Sequence, residues 1–239
     1  MNLEEFSEEF IKQAQEINIG IDINKIEKFY LYMNLLLEWN EKINLTAITN
    51  PKEVIIKHFI DSITISRYIK SNSKVIDIGT GAGFPGIPIK IFDETLNLTL
   101  LDSLNKRTIF LKEVIEKLNL KNVEIIHGRA EDYAQNSMYR EKYDYAVSRA
   151  VAPLNILLEY LVPYTRVNGK VIAMKGINVD DEIKNSNTAL NKLGAKIEKK
   201  EEIILPESCG NRYIIIINKN NITGKIYPRK AGIPKKNPL

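Results

Sequence analysis

The sequence has few of the residues on which secreted, metal-dependent or membrane-spanning proteins depend. It contains one cysteine, Cys209, in 239 residues, which excludes an intrachain disulfide framework and fits a reducing compartment. Its two histidines, His58 and His127, have no cluster of further ligands around them, so we expect no metal site. No apolar run approaches the roughly 20 residues of a membrane span, and the N-terminus is acidic, unlike a signal peptide. We therefore expect a cytoplasmic protein without a membrane partner.

The positive charge of the chain is concentrated near its C-terminal end. The formal net charge is +4. From residue 219 onward there is no acidic residue, and the basic residues are Lys219, Lys225, Arg229, Lys230, Lys235 and Lys236. Subtracting this +6 from +4 leaves −2 for the preceding 218 residues. A basic segment beside a near-neutral body predicts that a polyanion is held at one edge, although the same pattern fits a tail that only improves solubility.

Residues 1–70 are expected to form a helical cap. Apolar residues recur at helical spacing over residues 3–17 and again after residue 24. Asn24 is the expected N-cap of the second helix, with Glu27 three residues on. A third helix is expected to begin near Pro51.

From residue 74 the sequence alternates between short β-branched runs and amphipathic segments. The expected strands cover 75–78, 98–101, 123–126, 143–147, 171–174, 196–205 and 212–218. A helix over 181–193, closed by Gly194, precedes the last two strands. Repeated βα units imply a doubly wound parallel α/β sheet, and the last strand is expected to insert antiparallel as part of a closing hairpin. The expected organisation is a helical cap (1–70), a Rossmann-like domain (71–219) and a basic tail (220–239).

The stretch 74–86 points most directly to a ligand. A β-branched run ends in Gly79, Gly81 and Gly83, which lack a Cβ and let a ligand approach the backbone closely. In an open α/β sheet a ligand binds at this end of the strand, and a helix beginning near Gly86 would direct free N–H groups at it. With Asp77 the pattern is Asp-x-Gly-x-Gly-x-Gly, which resembles the first motif of S-adenosylmethionine-dependent methyltransferases. An acid near the loop suits a cationic sulfonium.

The same loop also satisfies a dinucleotide fingerprint, Gly81-x-Gly83-x-x-Gly86. A nicotinamide-dependent oxidoreductase is therefore an alternative. Pro85 argues against it, because proline lacks the N–H that would serve a pyrophosphate. The closing hairpin also separates methyltransferase sheets from the dinucleotide-binding plan.

Three later strand ends carry side chains suited to a nucleoside cofactor. Asp102 ends the second strand, where an acid can accept both ribose hydroxyls or, alternatively, cap the next helix. Ala130 and Glu131 follow the third strand, where an adenine ring would lie. Arg149 ends the fourth strand. Its guanidinium could hold a methionine carboxylate or an RNA phosphate, or form a surface salt bridge.

Eight segments along the chain carry a family resemblance. They are WNEKINLT (39–46), HFIDS (58–62), the glycine loop with FPG (84–86), LDSLNKR (101–107), RAE (129–131), SRAVAPL (148–154), MKG (174–176) and YPRKAGIP (227–234). Together they resemble the bacterial RsmG family, once called GidB, which are small-subunit rRNA guanine-N7 methyltransferases. The resemblance runs almost end to end, and no family motif is missing.

The resemblance implies a class I S-adenosylmethionine-dependent methyltransferase fold. The implied reaction is transfer of a methyl group from S-adenosyl-L-methionine to N7 of a guanine in 16S rRNA of the small ribosomal subunit, with no obligate protein partner evident. The residues implied to contact the cofactor are Gly79, Phe84, Ala130, Glu131 and Arg149, with Asp102 at the ribose. Guanine N7 already carries a lone pair, so positioning can supply most of the catalysis. No general base is expected, and Arg149 is expected to position the reactants.

The basic tail is expected to hold the RNA. Residues 227–234 carry two cations beside an aromatic ring, between prolines and a glycine, so we expect this segment to be extended on the surface. The cations expected to neutralise phosphates are Arg229, Lys230, Lys235 and Lys236, and Tyr227 would stack on an unpaired base.

Besides the oxidoreductase, a second alternative to the methyltransferase is a non-catalytic RNA-binding assembly factor with a vestigial cofactor pocket.

Overall fold

Seven strands form one sheet in the computed structural model, which describes residues 1–177 and 179–239. The strands are β1 (Lys74–Ile78), β2 (Asn97–Asp102), β3 (Val123–His127), β4 (Tyr143–Arg149), β5 (Thr165–Lys175), β6 (Ala195–Ile204) and β7 (Asn211–Lys219). Their order across the sheet is β3-β2-β1-β4-β5-β7-β6. The first five run parallel, whereas β7 lies antiparallel between β5 and β6. The predicted parallel sheet and its antiparallel closing hairpin are confirmed.

The central position of β1 follows from its side chains. Val75, Ile76 and Ile78 are buried, and a run that is apolar on both faces is typical of a parallel strand covered by helices on both sides. The chain places β2 and β3 on one side of β1 and then returns to place β4 on the other. The carboxyl ends of β1 and β4 therefore flank the topological switch point, where open α/β sheets bind ligands.

Helices cover both faces of the sheet. They are α1 (Leu3–Glu16), α2 (Ile23–Asn40), α3 (Pro51–Val54), α4 (Asp61–Ile63), α5 (Gly86–Phe92), α6 (Asn105–Lys117), α7 (Ala130–Tyr133), α8 (Leu154–Leu161), α9 (Val179–Lys184), α10 (Asn187–Leu193) and α11 (Ile233–Lys236). A π-helical stretch, Ile55–Ile60, joins α3 to α4, and a 3-10 stretch, Thr64–Tyr68, follows. Of the helices in the described ranges, none has both the length and the apolar composition to cross a membrane.

The N-terminal helices share their core with one face of the sheet. Aromatic rings run from Phe10 through Phe29, Phe59 and Tyr32 to Phe84, with successive ring centroids 4.8, 5.2, 5.4 and 5.5 Å apart. Because Phe84 belongs to the glycine loop, the cap packs directly on that loop. A second apolar cluster, which includes residues of α8 and α10, covers the opposite face. The division at residues 70 and 219 stays a prediction.

Two helices differ from those predicted. The N-cap of α2 is Asp22, whose side chain accepts the Asn24 N–H at 3.0 Å, so the assignment of Asn24 was wrong. The segment 181–193 is divided between α9 and α10, so the single predicted helix was wrong as well. The buried Ser186 hydroxyl lies at this break and donates to the Glu182 carbonyl at 2.6 Å, an alternative to the regular helix hydrogen bonds. Gly194 closes α10 with φ of 75°, as predicted.

The C-terminal tail is folded against the sheet domain, so the prediction of an extended surface segment was wrong. Pro228 and Pro234 are buried. The Arg140 guanidinium donates at 2.8–3.1 Å to the carbonyls of Thr223, Gly224 and Tyr227. The Gln135 amide donates to the Pro228 carbonyl at 2.8 Å. Side chains of the domain therefore satisfy the polar backbone of a segment that has few apolar residues of its own.

Candidate active site

A cleft opens at the switch point, next to the carboxyl ends of β1 and β4. Its volume is about 550 Å³, within the range of roughly 300–1,000 Å³ that is usual for small-molecule sites. The structure brings together five of the residues predicted to bind the cofactor: Gly79, Gly81, Phe84, Asp102 and Arg149. Residues of the cap, including Thr46 and His58, form another part of the lining.

The three glycines of the loop have different surroundings. Gly79, Gly81 and Gly83 have φ of +68°, +62° and +98°, a region that other residues adopt at a cost. A Cβ on Gly83 would lie 2.5 Å from the Tyr32 hydroxyl, and one on Gly79 would lie 2.7 Å from a Val151 methyl. A Cβ on Gly81 would meet nothing within 4 Å. Gly81 therefore presents bare backbone to open space, whereas Gly83 is required for packing against the cap.

Asp77, in β1, holds the two ends of the glycine loop together through its carboxylate. Its buried Oδ2 accepts hydrogen bonds from the Thr80 hydroxyl at 2.6 Å and from the Gly86 N–H at 2.8 Å. Burial raises the pKa of Asp77 to about 7, and these two hydrogen bonds oppose the shift. The Ile87 N–H donates to the Gly83 carbonyl. The first two N–H groups of α5, those of Gly86 and Ile87, are therefore bonded inside the protein. The prediction that the start of α5 directs free N–H groups at a ligand was wrong.

Asp102 ties the glycine loop to the segment after β2. Its Oδ2 accepts the Gly81 N–H and its Oδ1 accepts the Leu104 N–H, both at 2.9 Å. Arg107 Nη1 lies 3.5 Å from Oδ2. The N-cap residue of α6 is Leu104, and no side chain caps this helix, so the alternative that Asp102 is the helix cap was wrong. A carboxylate accepts up to about four hydrogen bonds, so the contact with a ribose stays a prediction beside this structural role.

Arg149 is the centre of a buried polar network. Its Nη1 donates to the Lys57 carbonyl at 3.0 Å and to Asp61 Oδ2 at 3.1 Å, and its Nη2 donates to His58 Nδ1 at 3.1 Å. The guanidinium also lies 4.9 Å from the centre of the Phe84 ring. The alternative of a surface salt bridge was wrong, because the Asp61 side chain is 2% exposed. Three of the five N–H donors are used, which leaves one on Nη2 and the one on Nε for a ligand.

His58 lies in the π-helical stretch, a departure from regular α-helix that occurs often at functional sites. Burial, with help from the Arg149 cation, lowers the pKa of His58 to about 3. The imidazole is therefore neutral near pH 7. It stacks on Phe84 with ring centroids 4.4 Å apart, and its Nε2 lies 2.9 Å from Thr46 Oγ1.

Ala130 and Glu131, both predicted to contact the cofactor, begin α7 and are not among the residues that line the cleft. Glu131 Oε1 accepts the N–H of Gly232 in the tail at 3.0 Å. The Ala130 carbonyl accepts the Tyr164 hydroxyl at 2.6 Å. Their contact with an adenine ring stays a prediction, and the tail touches one of the two residues concerned.

The tail cations predicted to bind RNA have different surroundings. Arg229 forms a fork with Glu159 of α8, with Nη2–Oε2 at 2.6 Å and Nε–Oε1 at 2.9 Å. The Glu159 side chain is 1% exposed, and a buried carboxylate requires such a partner. The expectation that Arg229 is available to phosphate was therefore wrong. Lys230, Lys235 and Lys236 are exposed, and their contact with RNA stays a prediction.

The sequence did not assign a role to Thr46 or Arg107, both of which line the cleft. In the sequence, the only indication of a role for Thr46 is the high density of polar residues after α2. There Asn40 Oδ1 accepts the N–H groups of Leu45 and Thr46 at 2.8 and 3.0 Å, which holds this turn at the edge of the cleft. Over residues 1–177 and 179–239, no group of three or more side chains is arranged to bind a metal.

The fold is similar to that of methyltransferases of known structure. The O-methyltransferase from Bacillus cereus, in complex with SAH, is 15% identical with a TM-score of 0.58, covering 90% of this chain and 99% of that one. A SAM-dependent methyltransferase from Aquifex aeolicus is 18% identical with a TM-score of 0.53, covering 76% of this chain and 97% of that one. At such identities the likeness concerns the fold alone, and the predicted class I methyltransferase fold is confirmed.

Sequence comparison identifies the protein family, which the likeness of fold does not. Residues 25–205 match the family model GidB, described as rRNA small subunit methyltransferase G, and this span contains all the cleft residues. Two similar relatives are named ribosomal RNA small subunit methyltransferase G. The one from Alkaliphilus metalliredigens is 50% identical, over 95% of each chain. The one from Acetivibrio thermocellus is 52% identical, over 96% of this chain and 95% of that one. With these matches over most of its length, the chain belongs to the rRNA small subunit methyltransferase G family.

Proposed function

We propose that this protein transfers the methyl group of S-adenosylmethionine to N7 of a guanine in the 16S rRNA of the small ribosomal subunit. Family membership supports the reaction class and the kind of RNA, because the relatives are named as methyltransferases of small-subunit rRNA. One observation supports a location for the reaction. It is the cleft at the β1–β4 switch point, where the bare backbone of Gly81 faces open space and Asp102 and Arg149 line the same cavity.

The residues present fit this cofactor in size and in chemistry. Gly81 admits a close approach to the backbone. Asp102 would accept hydrogen bonds from the ribose, and the remaining N–H groups of Arg149, on Nη2 and Nε, would bind the amino-acid carboxylate. When bound, S-adenosylmethionine supplies an electrophilic methyl group.

The side chains of the cleft suit a transfer that needs no proton removal. Guanine N7 is a lone-pair nucleophile, so the protein has to hold nucleophile and methyl group in line. His58 is not placed as a base, because its Nδ1 accepts a hydrogen bond from Arg149. The base gains positive charge as the methyl group arrives, and a carboxylate or carbonyl oxygen near N7 would stabilise that charge. The Tyr32 hydroxyl, which donates to the Ala82 carbonyl, keeps the loop rigid from the cap side.

Three exposed lysines of the tail support contact with RNA phosphates. Lys230, Lys235 and Lys236 lie on a segment that is fixed to the domain by the Arg229–Glu159 pair. Their charges are therefore held at a defined place, which reduces the conformational entropy lost on binding. Tyr227 packs partly buried against the second apolar cluster, so we do not propose that it stacks on an RNA base.

Methyl transfer with mapping of the product tests the proposed function. Small-subunit particles and deproteinised 16S rRNA, both from cells without this activity, would be incubated with the protein and methyl-labelled S-adenosylmethionine. In at least one of the two substrates we expect the label on a single guanine. Strand cleavage specific to 7-methylguanine should occur at that guanine. Label on another atom would contradict the proposal. A protein that binds cofactor and RNA but labels neither substrate would instead be a non-catalytic RNA-binding factor.

A further inference from the structure

The direction of a hydrogen-bond chain at the cleft is fixed by the guanidinium at its inner end. Arg149 can only donate, because a guanidinium stays protonated and has no acceptor. His58 Nδ1, 3.1 Å from Arg149 Nη2, must therefore accept, which requires an Nδ1 without a proton. The imidazole is also neutral, since burial and the Arg149 cation lower the pKa of His58. The single ring proton is consequently on Nε2.

That proton is directed to Thr46. His58 Nε2 lies 2.9 Å from Thr46 Oγ1 and donates to it. The Ile48 N–H donates to the same oxygen at 3.0 Å. A threonine hydroxyl has two acceptor lone pairs and one O–H donor. Both lone pairs are therefore used inside the protein, and the hydroxyl proton requires an acceptor elsewhere.

The acceptor has to come from the cleft. Within the described chain, no group accepts a hydrogen bond from the Thr46 hydroxyl. Thr46 is half-buried and lines the cleft together with Gly81, Phe84 and Arg149. Asn40 fixes its backbone by accepting the Thr46 N–H at 3.0 Å. The hydroxyl is thus a positioned donor on the cleft wall, with its direction set by His58 and Ile48.

We infer that the Thr46 hydroxyl donates a hydrogen bond to O6 of the target guanine and so selects guanine over adenine. This inference rests on the proposed function and deepens it. Guanine presents two neighbouring acceptors, N7 and O6, whereas adenine presents an N6 amino donor beside N7. A donor next to the reacting N7 pairs with guanine and opposes adenine. Sites built around such a hydrogen bond discriminate strongly, because the wrong partner leaves a buried polar group unpaired.

A cycle that changes both the enzyme and the substrate tests this inference. Thr46→Val removes the O–H with little change of shape, and Thr46→Ser keeps a hydroxyl. The substrate is small-subunit RNA with either guanine or 2-aminopurine, which retains N7 and lacks O6, at the target position. On guanine RNA we expect kcat/KM of Thr46→Val to fall about tenfold, the size of one hydrogen bond to a polar group. On 2-aminopurine RNA the wild type should show a similar loss and Thr46→Val no further one.

The cycle separates a lost contact from structural damage. Loss of the O6 contact lowers activity on guanine RNA alone, and Thr46→Ser should restore the preference for guanine. Equal losses on both RNAs would overturn the inference. If cofactor affinity measured by titration fell with them, the hydroxyl would serve the cofactor carboxylate instead. If the wild type methylated guanine RNA and Thr46→Val matched it on both substrates, only this inference would fail. If the wild type methylated no guanine, the proposed function itself would fail.

Discussion

At the scale of single residues, the burial of His58 makes the stability of the folded protein depend on pH. Its pKa is lowered to about 3 from 6.5 by burial and by the Arg149 cation. Between these two values the unfolded chain binds a proton that the folded protein does not. The stability that comes from a neutral His58 is therefore fully present above pH 6.5 and is lost as the pH falls.

We predict that the wild type loses about 2 kcal/mol more of its free energy of unfolding between pH 8 and pH 5 than the variant His58→Gln. Glutamine does not titrate, and its amide can still accept from Arg149 and donate to Thr46. Urea unfolding at a series of pH values measures this difference, with the exposed His127→Gln as the matched control. Equal pH dependence in the wild type and His58→Gln would show that the imidazole is not held neutral by the fold.

The sequence predicted which residues end the strands, but not the partners of those residues. Gly81, Asp102 and Arg149 meet in one cleft because a parallel sheet brings the carboxyl ends of its strands to one edge. The partner of Arg149 could not be predicted in this way, since Asp61 lies 88 positions earlier in the chain. Its placement depends on the π-helical stretch over Ile55–Ile60, and hydrophobic periodicity does not distinguish a π-helix from an α-helix.

At the scale of elements, the tail shows where composition misleads. Few apolar residues and many cations predict a solvated segment, yet Arg229 reaches a buried carboxylate, Glu159, 70 positions away. In the sequence Glu159 interrupts the apolar run of α8 without any local partner. A buried acid in such a position indicates a distant cation, but the sequence alone does not identify which one.

Arg229→Gln should destabilise the protein by about 3 kcal/mol, because it leaves the carboxylate of Glu159 buried without its partner. Lys230→Gln, the neighbouring exposed cation, should change the free energy of unfolding by less than about 0.5 kcal/mol. Urea unfolding of both variants at pH 7 measures the contrast. Equal stabilities would mean that the tail is not fastened to α8 by this pair.

Neutralising the exposed lysines should affect RNA binding and leave the fold intact. For the triple variant Lys230→Gln, Lys235→Gln and Lys236→Gln, we predict that the salt dependence of RNA affinity flattens by a slope of about 2, at roughly 0.7 per phosphate contact. RNA binding across a salt series measures the slope, and Lys12→Gln on α1 serves as control. An unchanged slope in the triple variant would show that these charges only improve solubility.

At the scale of the whole molecule, the cap and the sheet act as one support for the glycine loop. Tyr32 of α2 contacts the loop through Ala82 and Phe84, and Asp77 holds it from the sheet side. The alternation of strand and helix predicted the sheet and its closing hairpin, because that pattern depends on local periodicity. The contact of cap with loop was not predictable from periodicity, since it depends on how side chains far apart in the sequence fill one core.

Cofactor titration of three proteins tests the central claim, that the cleft at the β1–β4 switch point binds S-adenosylmethionine. Gly81→Val places a branched side chain in the open space of the cleft. Gly210→Val is its matched control, because Gly210 also has a positive φ, of 93°, and lies in the turn between β6 and β7. We predict that the wild type and Gly210→Val bind S-adenosylmethionine equally and do not bind NAD, and that Gly81→Val binds about 100-fold more weakly or not at all. Unchanged affinity in Gly81→Val, or binding of NAD by the wild type, would contradict the assignment of this cleft.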